Sequence, residues 1–151
     1  AIGKLVLWSA KEGFVDPKGD VLKHGFFAHL AIANPKVAPY GAAAMDVLKK
    51  REALAHLESK IVQGENIAQT YQFIASGNAE LGFVALSQIQ KEVKLGHGSV
   101  WMVPEDEYQP IIQDAVILNA GKDKPAVEAF VQFLKSSEAR QLIQSAGFSL
   151  P

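Results

Sequence analysis

Short apolar runs alternate with amphipathic stretches along the whole of this 151-residue chain, and few architectures accept that rhythm. A short apolar run bounded by turn residues has the length of a buried strand, whereas apolar residues recurring every three or four positions mark one face of a helix. Regular alternation of the two predicts an α/β layer structure with helices laid on a parallel-rich sheet. The strands read as Gly3 to Trp8, Leu30 to Ala33, Ser59 to Val62, Leu81 to Ala85, Ser99 to Val103 and Asp114 to Leu118. Helices read as Tyr40 to Lys50, Glu52 to Leu57, Ile67 to Ser76, Leu86 to Lys91, Lys124 to Leu134 and Ser137 to Ala146. The last two carry Val127, Phe130, Val131 and Leu134, then Ala139, Leu142, Ile143 and Ala146, each set at the spacing of one buried stripe.

Within that rhythm the stretch from Asn34 to Leu48 is the most chemically loaded. It ends a strand, turns through Pro35 and Pro39, and starts a helix at Tyr40-Gly41-Ala42-Ala43. The first N–H groups of a helix have no intrahelical partner, and small side chains there let a ligand approach them. A helix start of this kind favours an anion. A second start follows at Gly64-Glu65-Asn66-Ile67-Ala68-Gln69, after the strand-like Lys60-Ile61-Val62. Two converging helix N-termini and one tyrosine hydroxyl predict an oxyanion site.

Composition narrows the partners. Near-half hydrophobic content (48%) excludes disorder, and a formal net charge of −1 with scattered lysines gives no basic surface for nucleic acid. The absence of cysteine removes both a disulfide framework and a thiolate metal site. No apolar run is long enough to span a bilayer, and the sequence shows neither an initiator methionine nor a signal peptide, which fits a processed or truncated soluble chain.

The blocks Ala1 to Lys11, Asn34 to Gly41, Gly64 to Gln69, Glu80 to Ala85 and Gly147-Phe148-Ser149-Leu150-Pro151 together resemble the periplasmic molybdate-binding proteins of ABC importers. The resemblance runs the whole length of the chain but leaves out about the first third of a mature family member. It implies a type II periplasmic-binding-protein fold, an α/β lobe with a mixed, mostly parallel sheet flanked by helices. It also implies two chain crossings between lobes, near Ala1 to Lys4 and near Ile111 to Ala115. Residues 1–115 would then form the second lobe with crossover strands at both ends, and residues 116–151 the C-terminal segment of the first lobe. If nothing covers that segment, its apolar stripe predicts self-association through the C-terminal helices.

By the same resemblance the ligand is molybdate, with tungstate beside it, bound without cofactor, metal or catalysis in a periplasmic protein that serves an ABC permease of the inner membrane. The alternative is a ligand-sensing effector domain of a transcription regulator with the same fold. A fully ionised tetrahedral oxyanion only accepts hydrogen bonds, so its pocket needs donors, and neutral donors on rigid elements suit it best. The residues that match the family are Tyr40, through its hydroxyl, and Ile67, through its backbone N–H; Gly41 and Asn66 are further candidates. The second crossing carries Gln113 and no tyrosine, which leaves Tyr40 as the single phenol at the site. His24, His29, His56 and His97 lack metal-ligand spacing. Ser9, Ser87 and Ser99 lack a nucleophile elbow, and Glu105-Asp106-Glu107 reads as a solvated acidic turn.

Overall fold

A computed structural model describes residues 1–151. In chain order the elements are β1 (Ile2–Gly3), β2 (Leu5–Ser9), α1 (Val21–His24), β3 (Leu30–Ala33), α2 (Pro39–Lys50), α3 (Leu54–Leu57), β4 (Ile61–Gly64), α4 (Ile67–Ala75), β5 (Leu81–Ala85), α5 (Gln90–Leu95), β6 (Ser99–Met102), β7 (Ile111–Ile112), α6 (Pro125–Leu134) and α7 (Ser137–Ser145). Five strands join in the order β4-β3-β5-β2-β6. The β4–β3 and β3–β5 pairs are parallel and the β5–β2 and β2–β6 pairs antiparallel, so β2 alone runs against the other four. The sheet is thus mixed but mostly one-directional.

Both faces of this sheet are buried, and the period-two alternation of strand side chains sorts them into two cores. Leu5 and Leu7 of β2, Leu30 and Ile32 of β3, and Leu81 and Phe83 of β5 face the larger core with Ala43, Ala44, Val47 and Leu48 of α2. Val6, Trp8, Ala31 and Val84 point the other way, against Ile74 of α4 and Ile89. Continuous apolar strands are what a sheet covered on both sides requires, which is why these runs carry no polar alternation. Gly82 permits the close approach of β3, since a Cβ there would lie 2.5 Å from the Ala31 carbonyl oxygen.

Several boundaries differ from expectation; the strand expected over Gly3 to Trp8 is broken at Lys4, with Gly3 in β1 and Leu5–Ser9 in a different sheet. Ser59 sits in a 3-10 turn (Glu58–Lys60), and the strand runs Ile61–Gly64 instead. Helix formation does not resume at Glu52. That residue ends α2 in the left-handed region (φ 55°), with Glu52 N–H donating to Lys49 and Ala53 N–H to Leu48, a Schellman closure with glutamate where glycine is usual. The stretch Leu86 to Lys91 divides into a 3-10 turn (Leu86–Gln88) and α5, which continues to Leu95 and stops at the left-handed Gly96. Residues 114–118 form no strand, because no neighbour offers them a ladder; Val116 and Leu118 are 82% and 70% exposed. Pairing falls earlier, where Ile111–Ile112 joins Ile2–Gly3 antiparallel to make a separate two-stranded ribbon.

The tail beyond that ribbon is lightly attached. Ser149 bridges back to Ile2, and Gly147 fits tightly beside Gln90 and Ser87. Helix α6 buries no residue and α7 buries only Ala139. The stripe read from sequence therefore exists as a stripe, and it lines an open groove. No helix is long and apolar enough to cross a membrane.

Candidate functional site

Parallel strands β3 and β4 are in register so that Ala33 stands opposite Gly64, and the Asn34 N–H donates to the Gly64 carbonyl at 2.7 Å. Their carboxyl ends therefore lie side by side, and each leads into a helix, β3 through residues 34–38 to α2 and β4 through Glu65 and Asn66 to α4. This is the edge of an open α/β sheet at which ligands are held. The strand Leu81–Ala85 ends at the same edge. Its last residue is tied to α4 by Gln88, whose Oε1 accepts from Ala85 N–H at 3.1 Å while its Nε2 donates to the Ile67 carbonyl at 3.0 Å.

The start of α2 is built by close backbone approach. Pro39 takes the first helical position, where its missing N–H costs nothing. Gly41 then passes so near the end of β3 that any Cβ would collide with the Ala33 carbonyl. The helix begins one residue earlier than expected, and that changes which donors are open. Gly41 and Ala42 both give their N–H groups to the Ala38 carbonyl, at 2.9 and 3.1 Å, whereas the Tyr40 N–H has no partner within the chain. The expectation that Gly41-Ala42-Ala43 present free N–H groups is corrected accordingly. Gly41 is there for clearance, and the open donor at this helix start belongs to Tyr40.

At α4 the cap is elaborate. Asn66 is extended (φ −151°) and its Oδ1 accepts from Gln69 N–H at 2.9 Å, while Gln69 Oε1 reaches back to Glu65 N–H at 2.7 Å. This is a capping box shifted by one residue, since Gln69 accepts from the residue before the N-cap and not from Asn66 itself. The cap uses only the Asn66 Oδ1; its Nδ2 donates to no group of the chain and remains a donor at this helix start. Thr70 closes the turn by donating its hydroxyl to the Asn66 carbonyl at 2.9 Å. The N–H groups of Ile67 and Ala68 have no partner within the chain. Glu65 is exposed, and its carboxylate makes no ion pair.

Tyr40 is buried at 8% exposure, in the larger core against which Ile67 also packs. Burial first, then the neighbouring Tyr108 phenol, pushes the Tyr40 hydroxyl above the usual tyrosine range, against a smaller opposing effect of a hydrogen bond from Gln113. The hydroxyl thus keeps its proton throughout the physiological range and is available as a donor. Gln113 Nε2 lies 3.4 Å from it.

The acidic turn is solvated at Glu105 and Asp106, as expected, but not at Glu107. Glu107 holds Arg51 with both oxygens (2.6 and 2.7 Å), Arg51 lies over the Trp101 ring at 4.5 Å, and Lys50 pairs with Asp106. The turn is a clasp between the end of α2 and the segment leading into the ribbon. Sequence reasoning missed it because the partners are more than fifty residues apart. Among the histidines, His56 binds the Leu22 carbonyl at 2.9 Å and His24 stacks on Phe26. No three His, Asp or Glu side chains converge as a metal-holding group.

A one-directional sheet with a single reversed strand, covered on both faces and margined by a two-stranded ribbon, is the lobe of a periplasmic-binding-protein fold. Residues 1–149 match the family of bacterial extracellular solute-binding proteins, and the chain belongs to that family. It is 59% identical over 150 residues to the molybdate-binding protein ModA of Azotobacter vinelandii and 51% identical over 148 residues to that of Rhodobacter capsulatus. These alignments take in 99% and 98% of the chain but 60% and 57% of the relatives' lengths. The solved A. vinelandii periplasmic molybdate-binding protein superimposes with a TM-score of 0.93 at 44% identity, over all of this chain and 66% of that one.

Proposed function

We propose that this chain supplies one wall of a cleft that captures molybdate, and tungstate beside it, in the periplasm and delivers it to an ABC permease of the inner membrane. The observation that carries this reading is the shared sheet edge. Unspent N–H groups of Tyr40 and Ile67 stand at the starts of two helices fed by adjacent parallel strands, and Tyr40 adds a hydroxyl that is protonated at neutral pH. All are neutral donors on rigid elements, as a tetrahedral dianion requires. The 59% identity to a molybdate-binding protein supports molybdate as that anion.

In this reading residues 1–115 are one lobe, bounded by the ribbon strands, and residues 116–151 belong to the opposite lobe. The opposite wall of the cleft corresponds to the part of the relatives' length that the chain does not span. Capture involves no covalent step, only a higher affinity for anion in the closed arrangement than in the open one. The chain by itself pairs with a second copy through α6 and α7. A groove of about 730 Å³ lined by Ile117, Leu118, Val127, Phe130, Val131 and Leu134 is the surface that such pairing covers.

Calorimetric titration of the full-length protein with molybdate, tungstate and sulfate tests the assignment. Saturable binding of molybdate and tungstate, with sulfate weaker, is expected. Loss of the Tyr40 hydroxyl in Tyr40→Phe removes one hydrogen bond to a charged group, about 1.5–3 kcal/mol, or roughly ten- to a hundredfold in affinity. Undiminished affinity in a folded Tyr40→Phe protein would reduce Tyr40 to a packing residue.

A further inference from the structure

The ribbon formed by β1 and β7 meets Tyr40 through Gly3 of β1 and through the residue that follows β7. From β1, Gly3 lies so close that any Cβ would run into the Tyr40 hydroxyl and stand 2.9 Å from its Cζ and 3.2 Å from Ile111 Cγ2. The residue after β7, Gln113, brings its side-chain Nε2 to 3.4 Å from the same hydroxyl oxygen. Gln113 is itself fixed by two backbone bonds to Ala1, with its N–H donating to the Ala1 carbonyl at 2.8 Å and the Ala1 backbone nitrogen to its carbonyl at 3.0 Å. The hydroxyl at the anion edge is therefore seated on the two strands that, in the reading above, join the lobes.

A phenol has one proton to give and two lone pairs to receive with. An amide N–H pointed at the oxygen occupies a lone pair and leaves the proton for another acceptor. We propose that Gly3 and Gln113 are positioning residues for oxyanion binding: Gly3 clears the space for the Tyr40 hydroxyl, and Gln113, by donating to its oxygen, turns its proton toward the anion. The proposal rests on the molybdate reading for its ligand, and on the local geometry alone for the seating of the ring. Because Gly3 lies on the ribbon and Gln113 directly follows it, a bend of the ribbon moves the hydroxyl's seat together with the lobes. Glutamate at 113 would reverse the polarity, accepting the phenol proton and adding a negative charge beside the anion.

The test pairs two readouts on the full-length protein. With 13C-labelled tyrosine, the Tyr40 Cζ resonance is assigned by its disappearance in Tyr40→Phe, and Tyr71 serves as the internal control. Gln113→Leu is expected to shift the Tyr40 resonance and leave that of Tyr71 in place; Gly3→Ala shifts it as well. In molybdate titrations Gln113→Leu is expected to weaken binding about fivefold, the effect of one neutral hydrogen bond, and Gln113→Glu more. In the Tyr40→Phe background Gln113→Leu should change affinity by less than about twofold, since its effect passes through the hydroxyl. An unmoved Tyr40 resonance in folded Gln113→Leu protein, or an equal loss of affinity with and without the hydroxyl, overturns the proposal. If the unmutated protein ignores molybdate, the functional reading fails while the Cζ shift still decides the seating. Gln113 is exposed, so its variants fold even where Gly3→Ala does not.

Discussion

Single residues in this chain do their work through backbone groups more than through side-chain chemistry. Glu80, the residue before β5, accepts from His29 N–H at 2.9 Å and Ala28 N–H at 3.3 Å, while the Ser9 hydroxyl donates to its carbonyl. Burial acts to raise its pKa, but those N–H donors and the nearby His29 overcome it, and the carboxyl ends below its ordinary value. The unfolded chain, with an ordinary glutamate near pH 4.3, takes up its proton first as acid is added. The stabilisation from Glu80 is thus complete above that pH and is lost as pH falls through the lower folded value. Urea unfolding of Glu80→Gln is expected to show a deficit of about 1 kcal/mol at pH 7 that shrinks as pH falls below about 4. A deficit independent of pH would mean that shape, and not charge, is what the loop needs.

At the scale of elements, the Schellman closure of α2 offers a clean check. Glu52 holds φ 55° on an exposed corner, where a side chain costs conformational energy and glycine does not. Glu52→Gly is expected to raise stability by about 0.5 kcal/mol net of the added freedom of the unfolded chain, seen as a higher urea midpoint at unchanged slope. A lower midpoint would show that the Glu52 side chain contributes more than the corner costs. Elements that were legible in the sequence are those whose signal is local and strong. Leu30–Ala33 and Leu81–Ala85 read correctly to the residue because turn signals bound an apolar run on both sides. The start of α4 reads correctly to the residue and that of α2 to within one, since asparagine and proline mark them, although the open N–H moved from Gly41 to Tyr40 once Pro39 proved helical. The stretch from Asp114 to Leu118 misled because apolar β-branched residues look like a strand whether or not a partner strand exists. The Arg51–Glu107 clasp and the Gln113–Tyr40 contact were illegible for the opposite reason, as they join residues far apart in sequence.

For the whole molecule, one compact sheet with two cores contrasts with a tail that buries almost nothing. Phe130, Phe133 and Leu142 are 58%, 40% and 56% exposed on neighbouring helices, an apolar surface that water does not leave uncovered cheaply. Light scattering of this chain over a dilution series is expected to show a dimer that dissociates on dilution, and Phe130→Glu to abolish it. A monomer at every concentration would remove self-association from the account. On the proposed reading the chain alone is expected to bind anion poorly, because donors on an open wall compete with water at high dielectric. The central claim is the shared anion edge, and amide resonances read it directly. Titrating molybdate into 15N-labelled full-length protein is predicted to move the Tyr40, Ile67 and Ala68 amides most among the residues of this chain, in one saturable step. Binding that leaves those three amides in place while others shift would contradict it.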